Sequence, residues 1–238
     1  MADRSRPAVL PGTIVVYSDL ACPWASLTVH RLLGMRTRLG LAESVRLDHR
    51  CFPLELVNSR ATPKPILDAE VAVIGSHDPS LGWQPWRRPE SVYAVSSLLA
   101  LEAVQAAKAE EVGGLAASEQ LDAALRQALY ADSATITLHS VVTEVADRCS
   151  AVDVHALAKS LEAGSARSAV FEQWRESQRI GVQGSPHLYL ADGTDVHNPG
   201  VTLRWTGAKG SGFPVIDADD VSVIEDLLQR GASGPAFD

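Results

Sequence analysis

The chain predicts an α/β fold in which a mixed sheet is split by a large helical insertion, and three stretches carry that expectation. Thr13-Ile14-Val15-Val16-Tyr17 is a β-branched run that leads through a tight turn into an amphipathic helix, with Ala25, Val29, Leu32 and Leu33 spaced i, i+4, i+7, i+8. Val45, Leu47, His49 and Cys51 then alternate with charged residues, a period-two strand. Strand, helix and strand in quick succession imply a right-handed parallel crossover. Far downstream, His187–Leu190 and the run from Val196 are separated by Asp192-Gly193, a hairpin signal that adds an antiparallel pair.

Taken in order, residues 1–12 read as a disordered or draped tail. The first helix ends near Arg38-Leu39-Gly40, where Gly40 suits a C-cap. Across residues 52–89, Pro53, Pro63, Pro65, Pro79, Pro85 and Pro89 punctuate the chain, which implies loop with at most a short helix around 66–74. Trp83 and Trp86 in this loop either staple it to the helices or line a substrate pocket. Residues 91–180 read as helical. Val92, Val95, Leu99, Ala103 and Ala106 share one face, Leu121, Leu125 and Ala128 a second, and Leu138, Val141, Val142, Val145 and Cys149 a third, which makes Cys149 an inert stripe residue. Asp153 caps the next helix, Gly164 ends it, and Ala166, Ala169, Val170 and Trp174 belong to another. Val201–Trp205 is a further strand or an extended loop. Asp219-Asp220 lead into a last helix with Val223, Leu227 and Leu228, and residues 231–238 look frayed.

The chemistry centres on Cys22. Pro23 suits the first helical position, where its missing N–H costs no hydrogen bond, and this puts Cys22 at the cap, among unpaired backbone donors and at the positive end of the helix dipole. A cysteine there tends to ionise, and the thiolate is the nucleophilic form. The bland alternative is a small buried hydrophobe in a turn. Asp19 is placed to hold the turn by accepting backbone N–H groups, and its charge near the sulfur would oppose ionisation. Cys51, at the C-terminal end of the second strand, reaches the same sheet edge as Cys22 and is a candidate second thiol, although packing is the commoner role of a sulfur there, as it is of His49. Pro186, just before an apolar run, is either an edge feature or a cis peptide in a tight turn.

Asp19-x-x-Cys22-Pro23-Trp24 after a first strand, a long helical middle, and Gly181-x-x-Gly184-Ser185-Pro186 before a late strand resemble the DsbA-like thioredoxin fold, in particular its FrnE-like cytoplasmic branch. The resemblance runs from about Ile14 to Leu228. It implies a single unit over residues 1–238, in which a thioredoxin-like domain (about 12–62 and 181–231) holds an inserted helical subdomain (about 63–180). It also implies that Cys22 is the nucleophile and that a cis-proline loop of Ser185 and Pro186 packs against it, Ser185 offering backbone hydrogen bonds to an extended substrate. Pro23, Trp24, Ser26 and His187 complete the substrate-binding set. Trp24 shields the sulfur or stacks on a substrate, and His187 either donates to a substrate carbonyl or to the sulfur, or faces solvent.

One departure matters as much as the match. Ala25 stands where the family has its second cysteine, so this motif cannot itself release a mixed disulfide. What the resemblance then implies is one-thiol chemistry, in which Cys22 forms a mixed disulfide that glutathione or mycothiol resolves. The same fold resembles the kappa-class glutathione transferases and related isomerases, which use one hydroxyl or thiol to hold a glutathione sulfur; Cys22 and Ser26 keep that alternative open. A non-catalytic binding protein that retains the cleft is the third reading.

Composition bounds the partners. The 238 residues are 46% hydrophobic and 21% charged, an ordinary globular balance, and a formal charge of −8 with no basic cluster argues against a nucleic-acid partner. Three widely spaced cysteines form no disulfide framework and point to a reducing compartment. Pro11 and Gly12 interrupt the apolar Ala8-Val9-Leu10, so no signal peptide is expected, and no stretch approaches the ~18 apolar residues of a membrane span. The seven histidines are scattered, with no metal-binding spacing, and neither a Gly-x-Ser-x-Gly elbow nor a phosphate loop occurs. The expectation is a cytoplasmic protein with no metal or permanently bound cofactor. Its partner is a small thiol or thiol-containing substrate, and a homodimer is left open.

Overall fold

The computed structural model describes residues 6–233, so the ends of both expected tails lie outside the described residues. β1 (Thr13–Ser18) is buried at every position, as its unbroken apolar run dictates for a central strand. β2 (Arg46–Cys51) buries alternate residues and pairs with β1 in parallel, Thr13 opposite Arg46 through Ser18 opposite Cys51. The crossover between them is α1 (Pro23–Arg38). β3 (His187–Leu190) runs antiparallel along the other side of β1, and β4 (Asp195–His197) closes the hairpin, giving the order β2-β1-β3-β4. On one face, Ile14, Val16, Leu47 and Leu188 pack against Val29 and Leu32 of α1 and Leu227 of α9 (Ser222–Ala232). On the other, Val15, Tyr17 and Tyr189 meet Phe52 and Ile180.

Between the strand pairs lie α2 (Leu54–Val57), α3 (Lys64–His77), α4 (Leu98–Ala106), α5 (Gly114–Tyr130), α6 (His139–Asp147), α7 (Val154–Ala163) and α8 (Arg167–Ile180). The short helix expected at 66–74 is in fact the 14-residue α3. Its prolines start it rather than break it, since Pro63 is the N-cap and Pro65 sits in the first turn, where no intrahelical donor is needed. Gly75 lets α3 press on the following loop, because a Cβ there would run into the backbone carbonyl of Trp83. Trp83 donates its indole N–H to Gln127 Oε1 at 3.1 Å and packs on Tyr130, while Trp86 meets Tyr93 edge-on, so both tryptophans staple the loop to its neighbours.

The first stripe of the helical block starts later than its periodicity implied. Val92 ends a short 3-10 turn, Val95 is 62% exposed and α4 begins only at Leu98, because Glu55 accepts the Ser97 N–H (2.9 Å) and the Ser96 hydroxyl and holds the preceding chain extended. Leu138 is an exposed N-cap and Cys149 lies two residues beyond α6, still buried. Asp153 does cap α7, accepting the His155 and Ala156 N–H groups, and Gly164 ends it at φ +62°. β5 (Val201–Trp205) pairs with β6 (Pro214–Asp219) in a separate two-stranded ribbon. Aspartates and half-exposed positions hide β6 from pattern reading. Gly231 is not frayed but buried within α9, where a Cβ would crowd Ile14.

Candidate active site at the first helix N-terminus

Cys22 is the N-cap of α1 in extended conformation, and its carbonyl accepts the Ser26 N–H at 3.0 Å, the first bond of the helix. The turn before it is held by Asp19, whose carboxylate accepts the N–H groups of Ala21 (2.8 Å) and Leu54 (2.6 Å), as its position in the turn suggested. The Asp19 N–H in turn donates to Ser185 Oγ at 2.9 Å. Ser185 therefore meets this turn twice, because its carbonyl oxygen accepts the Cys22 thiol, with Sγ 3.1 Å away. The Ser185–Pro186 peptide is cis. Gly184 completes the loop: His197 lies over it so closely that a Cβ would be 2.6 Å from the imidazole Nε2.

That geometry overturns the expected low thiol pKa. The Cys22 side chain makes no capping hydrogen bond of normal geometry; it donates to a carbonyl and is only 6% exposed. Burial, and next the charge of Glu70, push the thiol up to about 11, outweighing the lowering by the Ser185 side chain and the Ala25 N–H. Glu70, on α3, is itself 5% exposed, and burial keeps its carboxyl above the usual range, with Lys209 pulling the other way.

Cys22 opens on a cleft of about 410 Å³ whose walls include Trp24, Glu70, Ser185, His197 and Lys209. Trp24 lines this cleft together with Cys22, its indole N–H beside Glu70 but lacking a hydrogen bond of normal geometry. Pro23 and Pro186 are buried next to the residues that line the cleft. Ser26 is not on it. Its hydroxyl lies one turn into α1, 1% exposed, where it donates to the Cys22 carbonyl and accepts from Arg126 Nη1 at 2.9 Å, so it has no access to a ligand's sulfur.

His187 likewise faces neither the sulfur nor solvent. As the first residue of β3 it is 2% exposed, its Nδ1 accepts the Gln183 N–H at 3.1 Å, and its ring packs on Tyr189, so it braces the loop from behind. His197, directly opposite it in the hairpin, is the histidine on the cleft. The Asp192-Gly193 turn held that register, but nothing in the sequence told which ring reaches the cleft. Cys51 is fully buried beside β1, its N–H bonded to Gln173 Oε1, and burial pushes its thiol up; it does not line the cleft.

Beneath the turn lies a buried cation that periodicity did not single out. Arg126 on α5 donates to Asp19 O (3.0 Å), Ser26 Oγ (2.9 Å) and Ser18 Oγ (2.8 Å), and forms a two-pronged pair with Asp122 one helical turn earlier. Burial opposes ionisation of Asp122, but Arg126 and then His49 outweigh it and hold its carboxyl below the usual range. Among the described residues no cluster of three or more His, Cys, Asp or Glu could hold a metal ion, and no helix is long and apolar enough to cross a membrane.

A family model described as a DSBA-like thioredoxin domain matches residues 13–211. Among solved structures, the cytosolic disulfide reductase DsbM from Pseudomonas aeruginosa with GSH is 18% identical, with a TM-score of 0.56 over 78% of this chain and 89% of that one. A probable DsbA oxidoreductase from Streptomyces coelicolor is 17% identical, with a TM-score of 0.57 over 92% and 89%. A 2-hydroxychromene-2-carboxylate isomerase is 15% identical, with a TM-score of 0.55 over 77% and 87%. At such identities the likeness is one of fold. A comparison with curated protein sequences returns no match.

Proposed function

The chain belongs to the DSBA-like thioredoxin domain family, and from that membership we propose that it is a thiol oxidoreductase acting through the single nucleophile Cys22, with glutathione or mycothiol as the second reactant. The observation that carries this reading is the meeting of the Cys22 sulfur with the Ser185 carbonyl at 3.1 Å on the wall of the cleft. Ala25, where a second sulfur would stand, is fully buried, and Cys51 lies off the cleft, so resolution from outside fits the site. The Cys22 thiolate attacks one sulfur of a disulfide, forming a mixed disulfide and expelling the other half as a thiolate, which takes up a proton. An incoming small thiolate then attacks the outer sulfur of that mixed disulfide. It leaves as a new disulfide and returns Cys22 to the thiol. One half of the substrate disulfide is released as a thiol and the other leaves as a mixed disulfide with the small thiol; exchange of that product with a second small thiol completes the reduction, so two thiols are oxidised to one disulfide for each substrate disulfide reduced. The Pseudomonas relative solved with GSH supports a small thiol in this role, and three unpaired cysteines fit a reducing cytoplasm.

A second reading draws on one specific feature, the protonated state of Cys22. An S–H that already donates to a carbonyl can donate to a bound thiolate, as a kappa-type transferase or isomerase would require. Cys22→Ser separates the two. Disulfide reduction with glutathione as reductant falls to the uncatalysed rate if Cys22 is the nucleophile, whereas thiol transfer to an electrophile survives in part if Cys22 acts only as a donor, because a hydroxyl also donates.

A further inference from the structure

We propose that the cleft beside Cys22 selects a carboxylate-bearing partner, with Arg60 and Lys209 taking its anionic groups, so that it favours acidic thiols and disulfides over neutral ones. This rests on the reading of the site as one that receives a small thiol, and specifies its charge class.

The chain carries 29 acidic against 21 basic residues, yet the cleft reverses that balance. Its lining holds two permanent cations, Arg60 and Lys209, against one carboxyl, Glu70, and one imidazole, His197. Glu70 offsets one of the two cations, and burial lowers the pKa of His197, so the lining keeps a net positive charge. Arg60 comes from the segment joining α2 to α3, and Lys209 from the turn joining β5 to β6.

Neither side chain is held in a close pair, although Lys209 acts on Glu70 at longer range. Arg31 pairs with Asp219, Arg36 with Glu119, Arg50 with Asp48 and Glu176, and Arg126 with Asp122, but neither Arg60 nor Lys209 makes a hydrogen bond or ion pair with any described residue. Two cations free of close ion pairs, sharing a concave wall with the sulfur, attract anions, and a guanidinium adds a two-pronged fit for carboxylate. Trp24, Leu203 and Trp205 supply the apolar surface against which the body of such a ligand would lie. A thiol with two carboxylates meets this pattern. One built on an uncharged sugar leaves both cations without partners.

The test uses Cys22→Ala, which removes covalent chemistry and leaves the cleft, and titrates it calorimetrically with S-methylglutathione and with its dimethyl ester, in which both carboxylates are masked. The acid is expected to bind at least about tenfold more tightly, the scale of one charge-assisted contact. Arg60→Gln and Lys209→Gln should each erode that preference, and so should added salt. Both positions are exposed, so these variants should fold. Equal affinities, tighter binding of the ester, binding of neither ligand, or a preference that both variants leave intact would overturn the proposal. The redox reading fails separately, if the native protein forms no Cys22 mixed disulfide while the charge preference holds.

Discussion

At the scale of single residues the site turns on whether Cys22 keeps its proton. The N-cap position favours a thiolate, but here the sulfur donates to the Ser185 carbonyl, and burial, then Glu70, oppose a negative sulfur by more than the Ala25 N–H favours it. Alkylation of Cys22 by iodoacetamide is therefore expected to be slow at pH 7 and to climb until about pH 11. Glu70→Gln, which removes the repelling charge, should move the profile to lower pH; an unchanged profile would show that Glu70 does not act on the sulfur. The same shift carries a stability sign. The folded protein holds this proton where an unfolded cysteine, at ~8.5, loses it, so stability linked to Cys22 declines between ~8.5 and the native value. Turn chemistry made Cys22 legible in the sequence, and the resemblance to the DsbA-like family pointed to Trp24 and Ser185. Glu70 was not, since it is carried by a helix that prolines disguised as loop, and Ser26 and His187 were misread because the side a ring or hydroxyl faces depends on packing.

Among the elements, α5 is the one that ties the site to the helical block. Arg126 reaches Ser18, Asp19 and Ser26 from a fully enclosed position, and removing it strands the Asp122 carboxylate beside His49. Arg126→Met should cost about 3–5 kcal/mol, the range for breaking one side of a buried pair, read as a fall in the urea midpoint. A loss below about 1 kcal/mol would mean the pair is solvated. On α3, Gly75→Ala should destabilise by about 1–3 kcal/mol, because the added carbon meets the Trp83 backbone rather than a side chain that can turn away. These elements show what pattern reading captures. The apolar β1, the alternating β2 and the Asp192-Gly193 hairpin were visible because each shows its own period or turn. α3 and β6 were not, since a proline in a first turn looks like a breaker and an acidic, half-exposed strand looks like loop.

Over the whole molecule, buried charge sets the response to acid. Asp48, bonded by Lys108 and Arg50, and Asp122 are both held below the usual carboxylate range despite burial. Their contribution is present above the unfolded value of ~3.9 and is lost as pH falls through the lower native values. Urea midpoints should drop below about pH 4, less steeply in Asp48→Asn; an equal slope would remove Asp48 from that account. Asp19 and Glu70, raised by burial, act in the opposite sense, gaining stability as they protonate. Of the three free cysteines, Cys22 is the one that lines the cleft, while Cys51 and Cys149 lie away from it. The most direct test is the intact mass of the native protein and of Cys22→Ala after exposure to oxidised glutathione between pH 7 and 9. A single glutathione adduct, forming faster as pH rises and absent from the variant, is the expected result. An unmodified native chain at pH 9, or an adduct that persists in Cys22→Ala, would contradict Cys22 as the nucleophile.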